Sequence, residues 1–400
     1  MRILLVQDGE WRKKGPHHQH HLMELLSLRG HNIVVVGFDQ LWKKENGGLI
    51  SGKEIAYNVS RFYKGSNITF IRPRFIRLPL LDYISFLFSS RKEIESQIEE
   101  FKPDVVIGFS GLLSNYWGMI YAKKNKIPFM YYWYDIIHVL NVPKQFKYIA
   151  ILLEKIIIIN STAILVINDA LRDYIIDFGA NPSITKVMPG GIDQGRFNPE
   201  RFDRDLLRRE FGFNEQDIVL YFMGWIYEFS GLDLVIAELF KLGESASKIK
   251  LLIVGEGDHY QKLKSLVNEY SLEERVILTG KRSYEDIPML IAMSDICLLP
   301  AVDNEVMRFI VPIKMYEYLA MLKPVISTEL SGVVREFGYN NGVLYIKRPE
   351  DAIKKALGLT VEDLSRNSDR ANKFIDNYKW DHLIDEFEAY LNNLIRLHSR

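Results

Sequence analysis

At 400 residues the chain outgrows a single compact core, so two domains are expected. Apolar residues make up 48% and charged residues 26%, an ordinary globular composition that sets aside disordered and fibrous classes. The 51 basic and 51 acidic residues cancel, which argues against a surface given over wholly to nucleic acid, and the lone Cys297 excludes a disulfide framework and suits a reducing compartment.

The chain opens on a strand-length apolar run, Met1 to Val6, cut off by Gln7-Asp8-Gly9-Glu10, which is too short for a signal peptide. Strands are expected at 2–6, 32–37, 105–109, 129–133 and 164–167, with helical patterns between them. Residues 22–28 carry apolar side chains at helical spacing and stop at Arg29-Gly30-His31. Residues 149–167 tempt a membrane-spanning assignment, but Glu154, Lys155, Asn160, Ser161 and Thr162 interrupt them. A buried helix ending near Asn160, then a strand, is the expectation.

Val187-Met188-Pro189-Gly190-Gly191 breaks the pattern, and the polar stretch 193–202 reads as an interdomain linker. The alternation then starts afresh, with strands expected at 218–223, 250–254, 276–279, 296–299, 325–327 and 343–346. The final helix, 380–397, aligns Leu383, Phe387, Tyr390, Leu391 and Leu394 on one face and is expected to pack back across the domain junction. Two successive doubly wound units imply a ligand cleft where the carboxyl ends of their sheets face each other.

Four segments of the second half fall at strand ends. They are 223–233 with Gly224 and Trp225, the turn Gly255-Glu256-Gly257, the turn Gly280-Lys281-Arg282, and 312–326. Glycine lets backbone amides approach a ligand without a Cβ in the way. Pro312 suits a first helical turn, which would set the free amides of a helix N-terminus at the cleft, and Lys314 and Glu317, three apart, share a face of the helix that follows. An ammonium there suits a diphosphate, and a carboxylate suits a ribose diol. A solvated ion pair is the plain alternative.

Taken in this order, the segments resemble the retaining glycosyltransferases of the GT4 type. The first half adds a glycine-bearing loop (Gly15-Pro16), Arg29-Gly30-His31 and Lys102-Pro103-Asp104-Val105-Val106. Pro189-Gly190-Gly191-Ile192-Asp193 and Phe197-Asn198-Pro199 are similar to the family's interdomain signature, and Lys323-Pro324-Val325 closes the lysine–glutamate helix. The resemblance implies an α/β chain of GT-B architecture, with two Rossmann-like doubly wound parallel-sheet domains facing a central cleft. Residues 1–190, joined by 380–400, would bind the acceptor, and 191–379 the nucleotide sugar.

Carried over by position, Glu317 would hold the donor ribose and Lys314 its phosphates or sugar. Leu319 and Ala320 would support the nucleotide through their backbone, Glu256 and the residues after Gly280 would line the base and ribose pocket, and Gly15 would close on the diphosphate. Asp135 and His138, after the strand at 129–133, would face the sugar or acceptor, although a capping role for Asp135 is an equal alternative. The chain departs from the family where Trp225 replaces an arginine, Ser230 a lysine and Phe309 a carboxylate.

Other signals compete. His17, His18, His20 and His21 invite a zinc reading, but no carboxylate motif accompanies them. Asp203-Arg204-Asp205 spells a metal-binding pattern, yet it precedes a charged helix and reads as a helix start. Residues 72–88 interleave Arg72, Arg74 and Arg77 with apolar side chains. They read either as packing under solvated arginines or as a contact for anionic lipid or a lipid-linked acceptor.

The resemblance implies a metal-independent transfer of a hexose from a nucleotide-diphosphate sugar to an acceptor hydroxyl, probing no cofactor beyond that donor. The acceptor would be a glycan or lipid-linked glycan, with no nucleic acid involved, in the cytoplasm or at the inner face of the membrane. Two readings stay open beside it: a catalytically degenerate sugar-nucleotide-binding partner subunit, and a sugar-nucleotide epimerase of the same fold.

Overall fold

The computed structural model describes residues 1–12, 17–38, 42, 47–109, 111–134, 136, 138, 146–304, 307–309 and 311–398. The chain divides into two compact units, Met1–Pro189 with Trp380–Arg400, and Gly190–Lys379.

The first unit contains, in chain order, β1 (Arg2–Gln7), α1 (His18–Leu28), β2 (Asn32–Val36), β3 (Ile50–Ser51), β4 (Glu54–Val59), β5 (Ile68–Arg72), β6 (Phe75–Ile76) and α2 (Leu81–Glu100). There follow β7 (Val105–Phe109), α3 (Leu113–Lys124), β8 (Phe129–Trp133), α4 (Lys147–Ile159), β9 (Ala163–Val166), α5 (Asp169–Asp177) and β10 (Thr185–Val187). Eight strands form one sheet in the order β10-β9-β8-β7-β1-β2-β5-β4, while β3 and β6 pair separately. The large sheet is parallel except for β4, which runs antiparallel to β5 at the edge. The central strands β7, β8 and β9 are buried along their whole length, as expected where helices cover both faces.

The second unit follows as α6 (Arg204–Glu210), β11 (Ile218–Met223), α7 (Leu232–Leu242), β12 (Ile249–Val254), α8 (Tyr260–Glu269), β13 (Val276–Gly280) and α9 (Ile287–Ala292). Then come β14 (Ile296–Leu299), α10 (Lys314–Ala320), β15 (Val325–Thr328), α11 (Ser331–Phe337), β16 (Val343–Ile346), α12 (Asp351–Leu357) and α13 (Val361–Ile375). Its six strands run in the order β13-β12-β11-β14-β15-β16, all parallel. Alternate residues of β11 feed opposite cores: Val219, Tyr221 and Met223 pack on one face, Leu220 and Phe222 on the other.

The last helix, α14 (Trp380–His398), returns to the first unit. The Trp380 ring stacks on His21 at 4.9 Å, and Arg29 donates to Glu388 at 2.7 Å. Between α4 and β9 the 149–167 segment divides as its polar residues suggest. No helix among the described residues is long and apolar enough to cross a membrane.

Candidate active site

Strands β11, β12 and β13 each run into a glycine with a left-handed backbone: Gly224 at φ +130°, Gly255 at +143° and Gly280 at +68°. Only glycine adopts such angles without strain. The loops beyond stay in register, with the Gly224 amide donating to the Val254 carbonyl at 2.9 Å, Gly255 to Gly280 at 2.9 Å and Ile226 to Glu256 at 3.0 Å. A Cβ at Gly255 would stand 1.9 Å from the Gly224 carbonyl oxygen, and one at Gly257 would stand 2.3 Å from that of Ile226. These turns are therefore layered backbone on backbone. Strand β11 lies between β12 and β14, the switch point of this sheet and the place where open α/β sheets take their ligands.

Lys314 and Glu317 come to this place from α10. The Lys314 ammonium donates to the Met223 carbonyl at 3.0 Å, lies 3.9 Å over the Phe222 ring, and would stand 3.4 Å from a Cβ at Gly224. Glu317 is 4% exposed and accepts the Tyr284 hydroxyl at 2.7 Å. Burial pulls the Lys314 ammonium down to about 7, against the attraction of Glu317. Burial also raises the Glu317 carboxyl to about 7, opposed by the Tyr284 hydrogen bond and the Lys314 charge. A phosphate beside the one and a diol on the other would favour both charged forms.

The expected free helix start at Pro312 needs correction. Helix α10 begins at Lys314, and the amides of Met315, Tyr316 and Glu317 already donate to Pro312 and Ile313 carbonyls. The tight first turn uses the groups that a ligand would have taken. Leu319 and Ala320 fall in the last turn, buried, so they support the site by packing rather than by open amides.

The other expected site residues of this unit surround the glycine turns. Trp225 is 44% exposed, and its indole donates to Asp258 at 3.3 Å. Lys281 pairs with Glu256 at 3.9 Å, and Arg282 is exposed. Ser230 is buried, its hydroxyl accepting the Tyr227 amide at 3.0 Å, so it serves the loop itself. Gly15 and Asp135 lie outside the described residues.

His138 is not an open sugar contact. It is buried, with Nδ1 donating to Glu154 at 2.6 Å, Nε2 sharing a hydrogen bond with the Tyr174 hydroxyl at 3.2 Å, and its ring stacked 5.1 Å from Phe178. Both ring nitrogens are engaged inside the first unit. The histidines of α1 are likewise dispersed. His18 meets the Tyr132 hydroxyl at 3.2 Å, His20 the Trp11 carbonyl at 2.8 Å, and His21 the Tyr63 hydroxyl at 2.8 Å. Burial pushes His18 and His20 down to about 3, so both stay neutral. Among the described residues no group of three or more His, Cys, Asp or Glu is placed to hold a metal ion. Asp203 caps α6, accepting the amides of Asp205 at 3.1 Å and Leu206 at 3.0 Å.

Residues 72–88 are partly buried and partly exposed. Phe75 and Phe86 enter the core, whereas Leu78, Leu80, Leu81, Ile84 and Phe88 are exposed. A cavity of about 580 Å³ beside them is lined by Ile50, Phe75, Phe88, Lys53, Arg74 and Lys92, among others.

Sequence reasoning missed Tyr284 and Tyr318, whose hydroxyls bond Glu317 and, at 2.9 Å, the Met223 amide. Tyr284 is 33 positions from Glu317 in sequence. No local spacing links the two, and only the sheet brings them together.

With this geometry in place, the class of protein follows from its relatives. The Glycosyltransferase Family 4 model matches residues 17–196, and the Glycosyl transferases group 1 model matches residues 203–380. The chain belongs to the GT4-type, group 1 glycosyltransferase family. Among sequence relatives, an alpha-D-kanosaminyltransferase of Streptomyces kanamyceticus is 26% identical over 175 residues, 43% of this chain and 44% of that protein. A GDP-mannose-dependent alpha-(1-6)-phosphatidylinositol monomannoside mannosyltransferase of Mycolicibacterium smegmatis is 26% identical over 113 residues, 28% of this chain and 29% of that protein. The matched stretches thus span less than half the length of these relatives. The crystal structure of Anabaena Alr3699/HepE in complex with UDP superposes with a TM-score of 0.71 at 16% identity, covering 98% of this chain and all of that one. That likeness, like the sheet orders above, gives the GT-B fold.

Proposed function

We propose that the chain is a glycosyltransferase that moves a hexose from a nucleotide-diphosphate sugar to an acceptor hydroxyl, with retention at the anomeric carbon and without a metal ion. The observation that carries this reading is the placement of Lys314 and Glu317 at the switch point of the second sheet, among three glycine turns. In it, Glu317 accepts both ribose hydroxyls, while Lys314 turns from the Met223 carbonyl to the diphosphate. Positive charge fixed there stabilises the charge that grows on the leaving phosphate. The bond from the anomeric carbon to the phosphate oxygen breaks, the acceptor oxygen bonds that carbon on the same face, and the acceptor proton passes to the departing phosphate.

The first unit would take the acceptor. The cavity bounded by Phe75, Phe88, Arg74 and Lys92 offers apolar walls and an excess of cations over its one carboxylate, Glu93, which pairs with Lys53 at 2.7 Å; this suits a lipid-linked glycan with an anionic headgroup, with membrane contact through 72–88. The mannosyltransferase relative, by its name, acts on a phosphatidylinositol lipid.

A second reading, a partner subunit that binds sugar nucleotide without using it, is favoured by Trp225 and by the buried, self-bonded Ser230. The purified chain incubated with labelled sugar nucleotides and candidate acceptors separates the two. Transfer that Glu317→Ala abolishes while the variant keeps its melting temperature supports the enzyme. Binding without transfer supports the partner subunit, and wild-type rates in Glu317→Ala overturn the site.

A further inference from the structure

The solvent-facing side of α4 (Lys147–Ile159) plays no part in the site above. Its sequence, Lys-Tyr-Ile-Ala-Ile-Leu-Leu-Glu-Lys-Ile-Ile-Ile-Ile, is apolar nearly all round, which is unusual for a helix at the surface of a monomer. Ala150, Ile157 and Ile158 fill the core. The outer stripe holds Tyr148 at 85% exposure, Ile149 at 57%, Leu152 at 60% and Ile159 at 69%, spaced as one helical face. Lys147 and Lys155 are the exposed charges of this helix. Its single acid, Glu154, is turned inward, where it accepts the Trp133 indole at 2.7 Å and the His138 ring at 2.6 Å. The exposed face is therefore apolar and cationic, with no carboxylate of its own.

We infer that α4 lies flat in the headgroup region of an anionic bilayer, its aliphatic stripe inserted and its two lysines on lipid phosphates. An exposed apolar stripe of this length marks an interaction site, and the charge chooses its partner. A second copy of the chain would set these lysines against like charges, whereas anionic lipid neutralises them. The neighbouring helices agree. The crossovers β5–α2–β7, β7–α3–β8 and β8–α4–β9 step in one direction along the sheet, so α2, α3 and α4 share one of its faces. The exposed start of α2, with Leu81, Ile84 and Phe88, adds a second apolar patch to that layer. Two such patches on one layer of helices suit an extended, flat partner.

This inference is independent of the transfer reaction, because vesicle binding is read without donor or acceptor. The test is co-sedimentation of the full chain with vesicles of phosphatidylcholine alone and of phosphatidylcholine mixed with phosphatidylglycerol. The expected result is binding to the mixed vesicles only. Lys147→Gln/Lys155→Gln should weaken it roughly 30-fold, at the usual gain per juxtamembrane lysine. Ile149→Ser/Leu152→Ser/Ile159→Ser should weaken it at least as much, and both variants should keep the wild-type melting temperature, since every changed side chain is exposed. Unchanged binding in both variants overturns the inference, as does a wild-type chain that ignores anionic vesicles. A wild-type dimer that Leu152→Ser makes monomeric, with no vesicle binding, would instead assign this face to contact between copies.

Discussion

The molecule buries two carboxylates in opposite ways. Glu154, in the first unit, is 0% exposed, and each oxygen has a strong donor, the Trp133 indole on one and the His138 ring on the other. Glu317, in the second, is 4% exposed and has a hydrogen bond from Tyr284, with its carboxyl raised to about 7. The first is fully hydrogen-bonded by its surroundings, and the second is held at the edge of ionisation. A fully partnered buried acid belongs to the architecture. In the proposed reading, the under-stabilised one on α10 is a binding device that awaits its ligand.

The largest effect should come from breaking the resolved pair. Glu154→Leu leaves the Trp133 and His138 donors buried without an acceptor, at a cost of about 3–5 kcal/mol. That should lower the melting temperature by roughly 10 °C for a domain of this size. Donor affinity of the protein that remains folded should not change. A stable variant, or one with lost donor affinity, would erase the contrast.

The reverse is expected of Glu317→Gln, which should reduce transfer at least about 100-fold if the carboxylate holds both ribose hydroxyls. The variant should be no less stable than wild type, and its relative stability should depend on pH. The folded carboxyl binds its proton up to about pH 7, whereas the unfolded one releases it near the ordinary carboxylate value. The folded state thus carries the extra proton between these values, and wild-type stability falls as pH rises through that window. Glu317→Gln has no such loss, so its melting temperature should gain on wild type by a few degrees between pH 5 and pH 8. A constant difference across that range would mean that Glu317 is ionised without strain.

The smallest effect belongs to Tyr284→Phe. It removes the hydroxyl that orients Glu317, and should raise the donor KM about tenfold while kcat changes little. An equal fall in kcat would place Tyr284 in contact with the reacting groups.

Much of this arrangement is legible in the sequence, and the gaps have physical causes. The β-branched runs at 32–36, 105–109 and 218–223 read as strands because parallel strands are buried on both faces. The glycines at 224, 255 and 280 mark the strand ends because glycine adopts their left-handed backbone angles at the least cost. Strand β4 escaped notice because an edge strand, Glu-Ile-Ala-Tyr-Asn-Val, is only half buried and carries no apolar run. His138 suggested a sugar contact from its position after β8, yet the acid that engages it lies 16 residues on, in α4. The helix start expected at Pro312 engages the amides of Met315, Tyr316 and Glu317 within its own first turn, which sequence spacing does not reveal. Tyr284 shows the same limit, since its contact with Glu317 exists only through the sheet.

The central claim is that Lys314 and Glu317 hold the two ends of a nucleoside diphosphate, and calorimetric binding of each nucleoside diphosphate and its matching nucleoside tests it most directly. Lys314→Met should weaken the diphosphate by about 10- to 100-fold, the usual worth of a charge-assisted contact, and leave the nucleoside unchanged. Glu317→Gln should weaken both. If Lys314→Met binds the diphosphate as wild type does, or if neither substitution distinguishes diphosphate from nucleoside, the strand-end site is not where the donor sits.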